Sequence, residues 1–532
     1  MKKGIAVLLT LFLPLLSFAQ EEVGIDQKID GAFKPFSDLV SSIVFFPVFG
    51  APFVLILLVV SALFFTIYFG FPNFRYFGKA INVVRGKYDH VDHSSAGDSK
   101  LAIDGDIKDT IADESKDGEV THFQALATAV SGTVGNGNIA GVALAIALGG
   151  PGATFWMIIC GLLGMSSKFV ECTLGVQYRD IGEDGTVYGG PMYYLSKGLK
   201  EKGFATLGKI TAVLFAIFCI GGSFGGGNAA QSNQATIVLK DLMGYESTSA
   251  GAIIGIVLAL IIGVIIIGGI KRIASVTEKV VPFMAVMYLV ACLYIILSNF
   301  TLIDDAFSLI FTEAFNPKAI GVGGVIGVLL VGFKRAAFSN EAGAGSASIA
   351  HSAVKTKYSA SEGLVALLEP FIDTVVICTM TALVIIIYNF GGAFDYGGEG
   401  AVMIDGVSYE GAGITSKAFG QYIPYSDVFL TIAVVLFAVS TMISWSYYGL
   451  QSWKYLFGRG RMADLTYKSL FLIFVIIGAA ASMKSIWDFS DAMIFAMIFP
   501  NMVGLFFLFP VVKKQLSRYL DAIKSSKSSE SK

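Results

Sequence analysis

Apolar residues in this chain form long uninterrupted runs, whereas a half-buried helix or strand alternates apolar with polar positions. The segments FVLILLVVSALFFTIYFG (53–70) and AIIGIVLALIIGVIIIGG (252–269) each reach the ~18 apolar residues that a membrane-spanning helix requires. By this criterion the sequence predicts about eleven transmembrane helices. Their approximate bounds are 47–71, 121–148, 151–176, 206–230, 248–270, 275–299, 319–352, 361–389, 425–452, 466–484 and 489–512.

The predicted helix at 121–148 has a polar, glycine-rich middle, GTVGNGN (132–138). In a helix interior Gly costs about 1 kcal/mol relative to Ala, and Asn side chains compete for the backbone hydrogen bonds. Backbone groups freed inside a bilayer must find other partners, so such a break is tolerated where it lines a cavity or binds a ligand. We therefore expect a functional interruption here.

The predicted helix at 319–352 is interrupted as well. Its apolar run, AIGVGGVIGVLLV, is followed by GFKRAAFSNEAGAGSASIAHS. A single helix would place Lys334, Arg335 and Glu341 in or near hydrocarbon, at about 2.5–3.5 kcal/mol for each charge at the bilayer centre. Two half-helices around a break near Ser339 and Asn340 avoid this cost. Close packing through small residues is the alternative, and it does not account for the charges and amides.

The two interrupted helices occupy matching positions in the predicted order. Apart from 47–71, each opens a block of five helices, and an odd number gives the two blocks opposite orientations. Such a pair in inverted halves indicates the midplane site of a secondary transporter. The sequence thus predicts an all-α integral membrane protein with two inverted five-helix repeats, each with a broken first helix, plus one extra N-terminal span.

Composition and motifs exclude other classes of function. The 532 residues are 55% hydrophobic and 15% charged, against about 25% charged in soluble proteins, and the net charge of −2 does not favour nucleic acid. The five cysteines lie in apolar segments, which favours buried thiols over disulfides or metal ligands. No P-loop, HExxH or GxSxG occurs, which argues against an ATPase or an enzyme, and a channel would need repeated pore motifs.

The chain ends predict orientation and domains. Lys2 and Lys3 precede an apolar run that ends near Ser17 and Ala19, as in a cleaved signal peptide; an uncleaved first span is the alternative. Lys and Arg are concentrated in the loops that this start assigns to the cytoplasm, which predicts a multi-pass inner-membrane protein with a cytoplasmic C-terminus. The predicted regions are a signal peptide (1–19), an N-terminal region with the extra span and an acidic cytoplasmic loop (20–119), a ten-helix core (120–512) and a polar tail (513–532).

Five long motifs resemble the alanine/glycine:cation symporter family. The resemblance implies a leucine-transporter-type fold and sodium-coupled, sometimes proton-coupled, uptake of alanine or glycine, with the bilayer as surroundings and no cofactor. The motifs are GTVGNGNIAGVALAIALGGPGATFWMIICGLLGMSSKFVE (132–171), GGPMYYL (189–195), GFKRAAFSNEAGAGSASIAH (332–351), EGLVALLEPFIDTVVICTMTALVI (362–385) and LFAVSTMISWSYYG (436–449).

The interruptions supply candidate substrate contacts. Backbone N–H groups of the first break suit a carboxylate, and polar side chains of the second break complete the pocket. Two amides in 225–234 lie about one turn apart and can meet the amino group, unless the segment is an outer helix end. A tryptophan in 436–449 walls a small pocket or only packs. The candidates are Gly135, Asn136, Gly137, Asn138, Asn228, Gln231, Ser339, Asn340 and Trp445.

The resemblance also implies a sodium site. In this fold a hydroxyl pair on the eighth core span meets carbonyls of the first broken span. Here the pair is Ser440 and Thr441, with carbonyls near Gly132 and Gly135. Bonding of the hydroxyls to the preceding helical turn is the alternative. No other metal is expected, and a proton remains an alternative coupling ion.

Several acids lie inside predicted spans, where ionisable groups are functional by default. Glu341 either acts at the site or pairs with Lys334 or Arg335. Glu171 is expected to pair with Lys168. Glu369 and Asp373 lie one helical turn apart, which suits helix–helix hydrogen bonding, gating or a proton relay.

Overall fold

The computed structural model describes residues 25–92, 118–182, 185–244, 247, 249–318 and 323–530. The predicted signal peptide (1–19) lies outside these residues, as does most of the acidic loop. Within the described parts the chain is almost entirely helical, and its three antiparallel pairs of strands are only two or three residues long.

The N-terminal region contributes two helices. Helix α1 spans Ile25–Val44 and contains Pro35, and a hairpin of β1 (Pro47–Val48) with β2 (Ala51–Pro52) leads to α2 (Phe53–Tyr68). Helix α2 lies in the predicted span 47–71, whereas α1 was not predicted because its apolar face alternates with charged residues. Short helices follow at Pro72–Arg75, Phe77–Val84 and Asp89–Asp92.

The core comprises the remaining helices. They are α3 (His122–Thr133), a 3₁₀ turn at Asn136–Asn138, α4 (Ala140–Gly149), α5 (Gly152–Gln177), a three-part helix at Pro191–Tyr193, Tyr194–Gly198 and Leu199–Glu201, α6 (Ala205–Met243), α7 (Ala250–Ile266), α8 (Gly269–Ser298), a 3₁₀ turn at Phe300–Leu302, α9 (Ile303–Phe315), α10 (Gly324–Asn340), α11 (Ala347–His351), α12 (Ser359–Asn389), α13 (Ala412–Gly420), α14 (Ser426–Phe457), α15 (Arg461–Ala480) and α16 (Met483–Glu530). The other strands are β3 (Asp180–Ile181), β4 (Val187–Tyr188), β5 (Val402–Ile404) and β6 (Val407–Tyr409).

The helix lengths fit the membrane class. Seven helices in the described parts of the chain are long and apolar enough to cross a bilayer, and the bent pair α3–α4 makes up to eight. Helices α2 and α7 are apolar but only 16 and 17 residues long. All of these helices overlap predicted spans, so the all-helical membrane class is confirmed. The count of eleven and the inverted repeats stay predictions.

Both predicted interruptions are present. The axis bends by 57° between α3 and α4. Helix α10 continues through Asn340 and stops at Glu341, which has φ 54°, and Gly343 and Gly345 follow at φ 92° and 89° before α11. A left-handed conformation costs a non-glycine residue about 1–2 kcal/mol, so Glu341 is held there by its surroundings. The second break begins one residue later than predicted.

Three segments differ from the sequence-based expectations. Segment 225–234 is not a helix end, since α6 passes through a π-helical turn at Gly225–Ala229 and continues to Met243. Segment 390–424, which lies between the predicted spans 361–389 and 425–452, contains the hairpin β5–β6 and helix α13. The predicted polar tail (513–532) lies outside the predicted spans, but it continues α16 as far as Glu530.

Candidate functional site

The first break is closed by side-chain amides. The Gly135 N–H donates to Asn138 Oδ1 at 2.9 Å, and the Asn136 N–H donates to Gln231 Oε1 at 3.0 Å. The Asn136 amide also donates to the Gln231 carbonyl at 3.2 Å. Amide oxygens therefore occupy N–H groups that the interrupted helix leaves free, and a carboxylate presents the same kind of oxygen to such groups.

One buried carboxylate joins the two breaks. Asp373 lies in a π-helical stretch of α12 and accepts hydrogen bonds from the Asn138 amide at 2.7 Å, the Ser339 hydroxyl at 2.9 Å and the Thr374 hydroxyl at 2.7 Å. A buried carboxylate needs such donors because it has lost its water. The sequence flagged Asp373 as an acid within a span but did not place it in the site.

The second break carries an acid bound to the tryptophan. Asn340 donates to the Thr374 hydroxyl at 2.9 Å and accepts from the Ala342 N–H at 2.9 Å. The Glu341 carboxylate accepts from Trp445 Nε1 at 3.0 Å and from the Ser346 hydroxyl. Trp445 is therefore hydrogen-bonded to the second break, and its role as a substrate contact stays a prediction.

The space around Trp445 is closed by helix α6. The side chain is fully buried, and a Cβ atom on Gly227 would lie 2.1 Å from Trp445 Cγ. The two breaks also touch, since a Cβ on Gly137 would be in ordinary contact with Ser339 Cα at 3.5 Å. Little room remains between these elements for a large ligand side chain.

Helix α6 brings one of its two candidate amides to the first break. Gln231 contacts Asn136 and donates to the Gly226 carbonyl at 2.9 Å. Asn228 instead donates to the Phe471 carbonyl on α15 at 2.6 Å. The π-helical turn changes the spacing between these residues, so the two amides do not share a face.

The hydroxyl pair on α14 meets the end of α3. The Thr441 hydroxyl donates to the Ser131 carbonyl at 3.0 Å, and the Ser131 hydroxyl donates to the Ser440 carbonyl at 2.8 Å. A Cβ on Gly135 would lie 2.4 Å from Thr441 Oγ1. The Ser440 hydroxyl bonds to Phe437 in its own helix at 2.9 Å, as the alternative interpretation proposed. Ser131 was missed because nothing in its local sequence separates it from other small helical residues.

The oxygen set at this junction suits a small cation. Unwound backbone carbonyls at a broken helix can coordinate a small cation, and the neighbouring hydroxyl adds another hard oxygen. Gly132 lies in the same stretch and faces Tyr448, whose hydroxyl would be 2.9 Å from an added Cβ. The Thr441 side is therefore the better candidate than the Gly132 side.

The buried acids have partners other than those expected. Lys334 and Arg335 both bind Asp491, the lysine at 2.8 Å, and neither is paired with Glu341 among the described contacts. Lys168 binds Glu369 at 2.9 Å.

Glu171 also departs from its predicted pairing. It accepts from the Asn501 amide at 3.1 Å, so the predicted Lys168–Glu171 contact is replaced by two others. Glu369 and Asp373 face different partners and are not a carboxylate pair.

Comparison with known proteins identifies the family. A family model described as the sodium:alanine symporter family matches residues 37–532. The chain belongs to the sodium:alanine symporter family. The sodium/alanine symporter AgcS of Methanococcus maripaludis is 38% identical over 472 residues, which cover 88% of this chain and 94% of AgcS. The probable sodium/glutamine symporter GlnT of Bacillus subtilis is 33% identical over 422 residues, covering 79% and 83%.

The fold also has a solved counterpart. The crystal structure of MhsT in complex with L-phenylalanine superposes with a TM-score of 0.50 at 15% identity, covering 73% of this chain and 89% of that one. This likeness supports the leucine-transporter-type fold that the motifs implied. Membership of the symporter family makes the protein a membrane transporter and not an enzyme.

Proposed function

We propose that this symporter takes up alanine or glycine together with sodium by alternating access. The observation that carries the proposal is the meeting of both helix breaks at Asp373, to which Asn138 and Ser339 both donate. A ligand bound between the breaks touches both halves of the bundle at once. Its presence can therefore bias their relative movement, which symport requires.

The substrate carboxylate would bind at the first break. The N–H groups of Gly135 and Asn136 now donate to amide oxygens of Asn138 and Gln231, and a carboxylate would replace Gln231 there. The ammonium group would approach the carboxylates of the second half, among which Glu341 already accepts two hydrogen bonds. This arrangement matches both charges of an amino acid.

The small gap between the breaks supports a small side chain. Gly137 lies against Ser339, and Trp445 fills the space beside Gly227. A side chain such as that of glutamine would require these residues to move apart. We therefore assign alanine and glycine to this protein, although GlnT, a relative at 33% identity, is named for glutamine.

Sodium would bind where α14 meets the end of α3. The Thr441 hydroxyl now donates to the Ser131 carbonyl at 3.0 Å. These two oxygens would move apart to coordinate the ion between them. The driving force is about 2.3 kcal/mol per charge for each 100 mV of membrane potential, to which the sodium gradient adds.

Uptake into proteoliposomes tests this function. Radiolabelled alanine should accumulate only with an inward sodium gradient, unlabelled glycine should compete, and glutamine should compete poorly. Sodium-independent equilibration would overturn the symport proposal. Strong competition by glutamine together with weak competition by glycine would overturn the substrate assignment and leave symport intact.

The proposed orientation has an outside N-terminus, after signal cleavage, and a cytoplasmic C-terminus. It rests on the distribution of Lys and Arg among the loops. Alkaline phosphatase fused after the C-terminal residue should be inactive, and high periplasmic activity of that fusion would reverse the orientation.

A further inference from the structure

A row of five buried ionisable side chains lies outside the proposed substrate and sodium sites. One Glu362 oxygen contacts His122 Nδ1, and the other lies 2.5 Å from His351 Nδ1. His351 Nε2 lies 3.6 Å from Glu369, whose second oxygen binds Lys168 at 2.9 Å. All five side chains are at most 5% exposed.

If the His351 imidazole is neutral, the middle of this row of side chains lacks one proton for its hydrogen bonds. A neutral imidazole has one donor nitrogen and one acceptor nitrogen, but His351 faces a carboxylate on each side. Both contacts are favourable only if the imidazole or one carboxyl holds an additional proton. His351 Nε2 and Glu369 Oε2 point at each other, and within the described structure neither has a hydrogen-bond partner. A proton between them would satisfy both atoms.

The surrounding charges favour uptake of a proton. Lys168 also interacts with Glu171 and Glu341, so three carboxylates, counting Glu369, act on this one lysine, and Glu362 beside His351 adds a fourth carboxylate to the cluster. Negative charge in excess inside a protein is unfavourable, and protonation relieves it. Among the described residues, the other titratable groups that interact with these acids include Cys172 of α5, Tyr194, Cys219 of α6, Asp373 of α12 and Tyr448 of α14.

The cluster ties the two interrupted spans together at one end. His122 begins α3 and His351 ends α11, and Glu362 binds both. Next to them the Lys355 N–H donates to the Val120 carbonyl at 2.8 Å. This end, predicted to be cytoplasmic, cannot open between the two spans without breaking these contacts.

The His122 end of this row of side chains adjoins the protein surface. A cavity of about 150 Å³ is lined by His122, Asp89 and Lys355. Protons from solvent can therefore reach His122, and from there Glu362 and His351 through the contacts described above.

We propose that Glu362, His351 and Glu369 bind one proton, received through His122, and that this proton holds the two interrupted spans together at this end. When it leaves, an imidazole lone pair faces a carboxylate, and closure at this end weakens. The proton exchanges with one side only and is not carried with the substrate. The site is distinct from the sodium site at Thr441.

Hydrogen exchange of the Lys355 amide tests the proposal without transport. In the full-length protein, protection of the peptide 352–358, corrected for intrinsic exchange, should fall by roughly tenfold between about pH 6 and about pH 8.5. His351→Gln should remove this pH dependence, and His90→Gln, which alters an exposed histidine, should keep it. Equal pH dependence in the wild type and His351→Gln overturns the proposal.

Two further measurements guard against misfolding and misassignment. Glu369→Gln also removes a titrating member, so it should flatten the same profile even if His351→Gln is unstable. A pH-sensitive dye trapped in proteoliposomes should report no proton movement during sodium-driven alanine uptake. Proton entry in step with alanine would overturn the claim that the proton is not cargo. A failure of alanine uptake alone would bear on the proposed function and not on the exchange result.

Discussion

The two helix breaks are closed by different means. At the first, backbone N–H groups donate to neutral amides, and Gly135 has no room for a side chain beside Thr441. At the second, Glu341 is held in a left-handed conformation by hydrogen bonds from Trp445 and Ser346. The first break is therefore limited by space and the second by contacts to an acid. The difference predicts which substitutions each will tolerate.

The strongest test of the first break adds one methyl group. Gly135→Ala places a Cβ 2.4 Å from Thr441 Oγ1 and 3.0 Å from Gln231 Oε1. We expect sodium-driven alanine uptake to fall roughly a hundredfold, which corresponds to ~3 kcal/mol, the upper end of the range for overpacking. Gly141→Ala on α4 is the matched control, because its Cβ meets only Trp487, at 3.6 Å. Equal loss in both variants would show that space is not what distinguishes Gly135.

Neutralising Asp373, which accepts hydrogen bonds from both breaks, should affect both breaks together. Asp373→Asn keeps the shape of the side chain but weakens the hydrogen bonds from Asn138 and Ser339. The new amide nitrogen would face at least one of these donors and could not accept its hydrogen bond. We expect uptake to fall roughly thirtyfold, since bonds to a charged group contribute about 1.5–3 kcal/mol. Initial rates of alanine uptake measure this, with Asp305→Asn, an exposed acid on α9, as control. Full activity of Asp373→Asn would mean that the two breaks are not coupled through this side chain.

The sequence predicted the breaks better than it predicted their partners. Gly135 and Asn136 mark the first break locally, since glycine and asparagine disfavour a helix. Asp373 binds Asn138 from 235 positions away, and no local pattern specifies that pairing. An acid within an apolar helix indicates only that some partner exists.

Helix geometry explains two other differences between prediction and structure. Regular spacing placed Asn228 beside Gln231, but the π-helical turn at Gly225–Ala229 rotates them apart. Helix α1 escaped prediction because the hydropathy criterion detects uniformly apolar runs, whereas Ile25–Val44 is amphipathic and contains Pro35. Backbone irregularity and amphipathic packing are both tertiary outcomes that the local sequence does not specify.

Removing one hydrogen bond tests the second break. Trp445→Phe keeps an aromatic ring beside Gly227 but loses the Nε1–H that donates to Glu341 at 3.0 Å. We expect the alanine concentration for half-maximal uptake to rise roughly tenfold, as expected for about 1.5 kcal/mol. Trp453→Phe is the control on the same helix, because the Trp453 Nε1 has no hydrogen-bond partner in the described structure. If Trp445→Phe leaves the alanine concentration for half-maximal uptake unchanged, the hydrogen bond from Trp445 to Glu341 is not what limits the second break.

The smallest expected effect separates two neighbouring hydroxyls at the first break. Thr441 donates to the Ser131 carbonyl across the helix interface, whereas the Ser440 hydroxyl bonds to Phe437 within its own helix. Thr441→Ala should raise the sodium concentration for half-maximal uptake about threefold to fivefold, near 1 kcal/mol for one oxygen ligand. Ser440→Ala should leave it nearly unchanged. Sodium titration of alanine uptake distinguishes them, and a larger shift in Ser440→Ala would mean that its hydroxyl turns towards the ion when sodium binds.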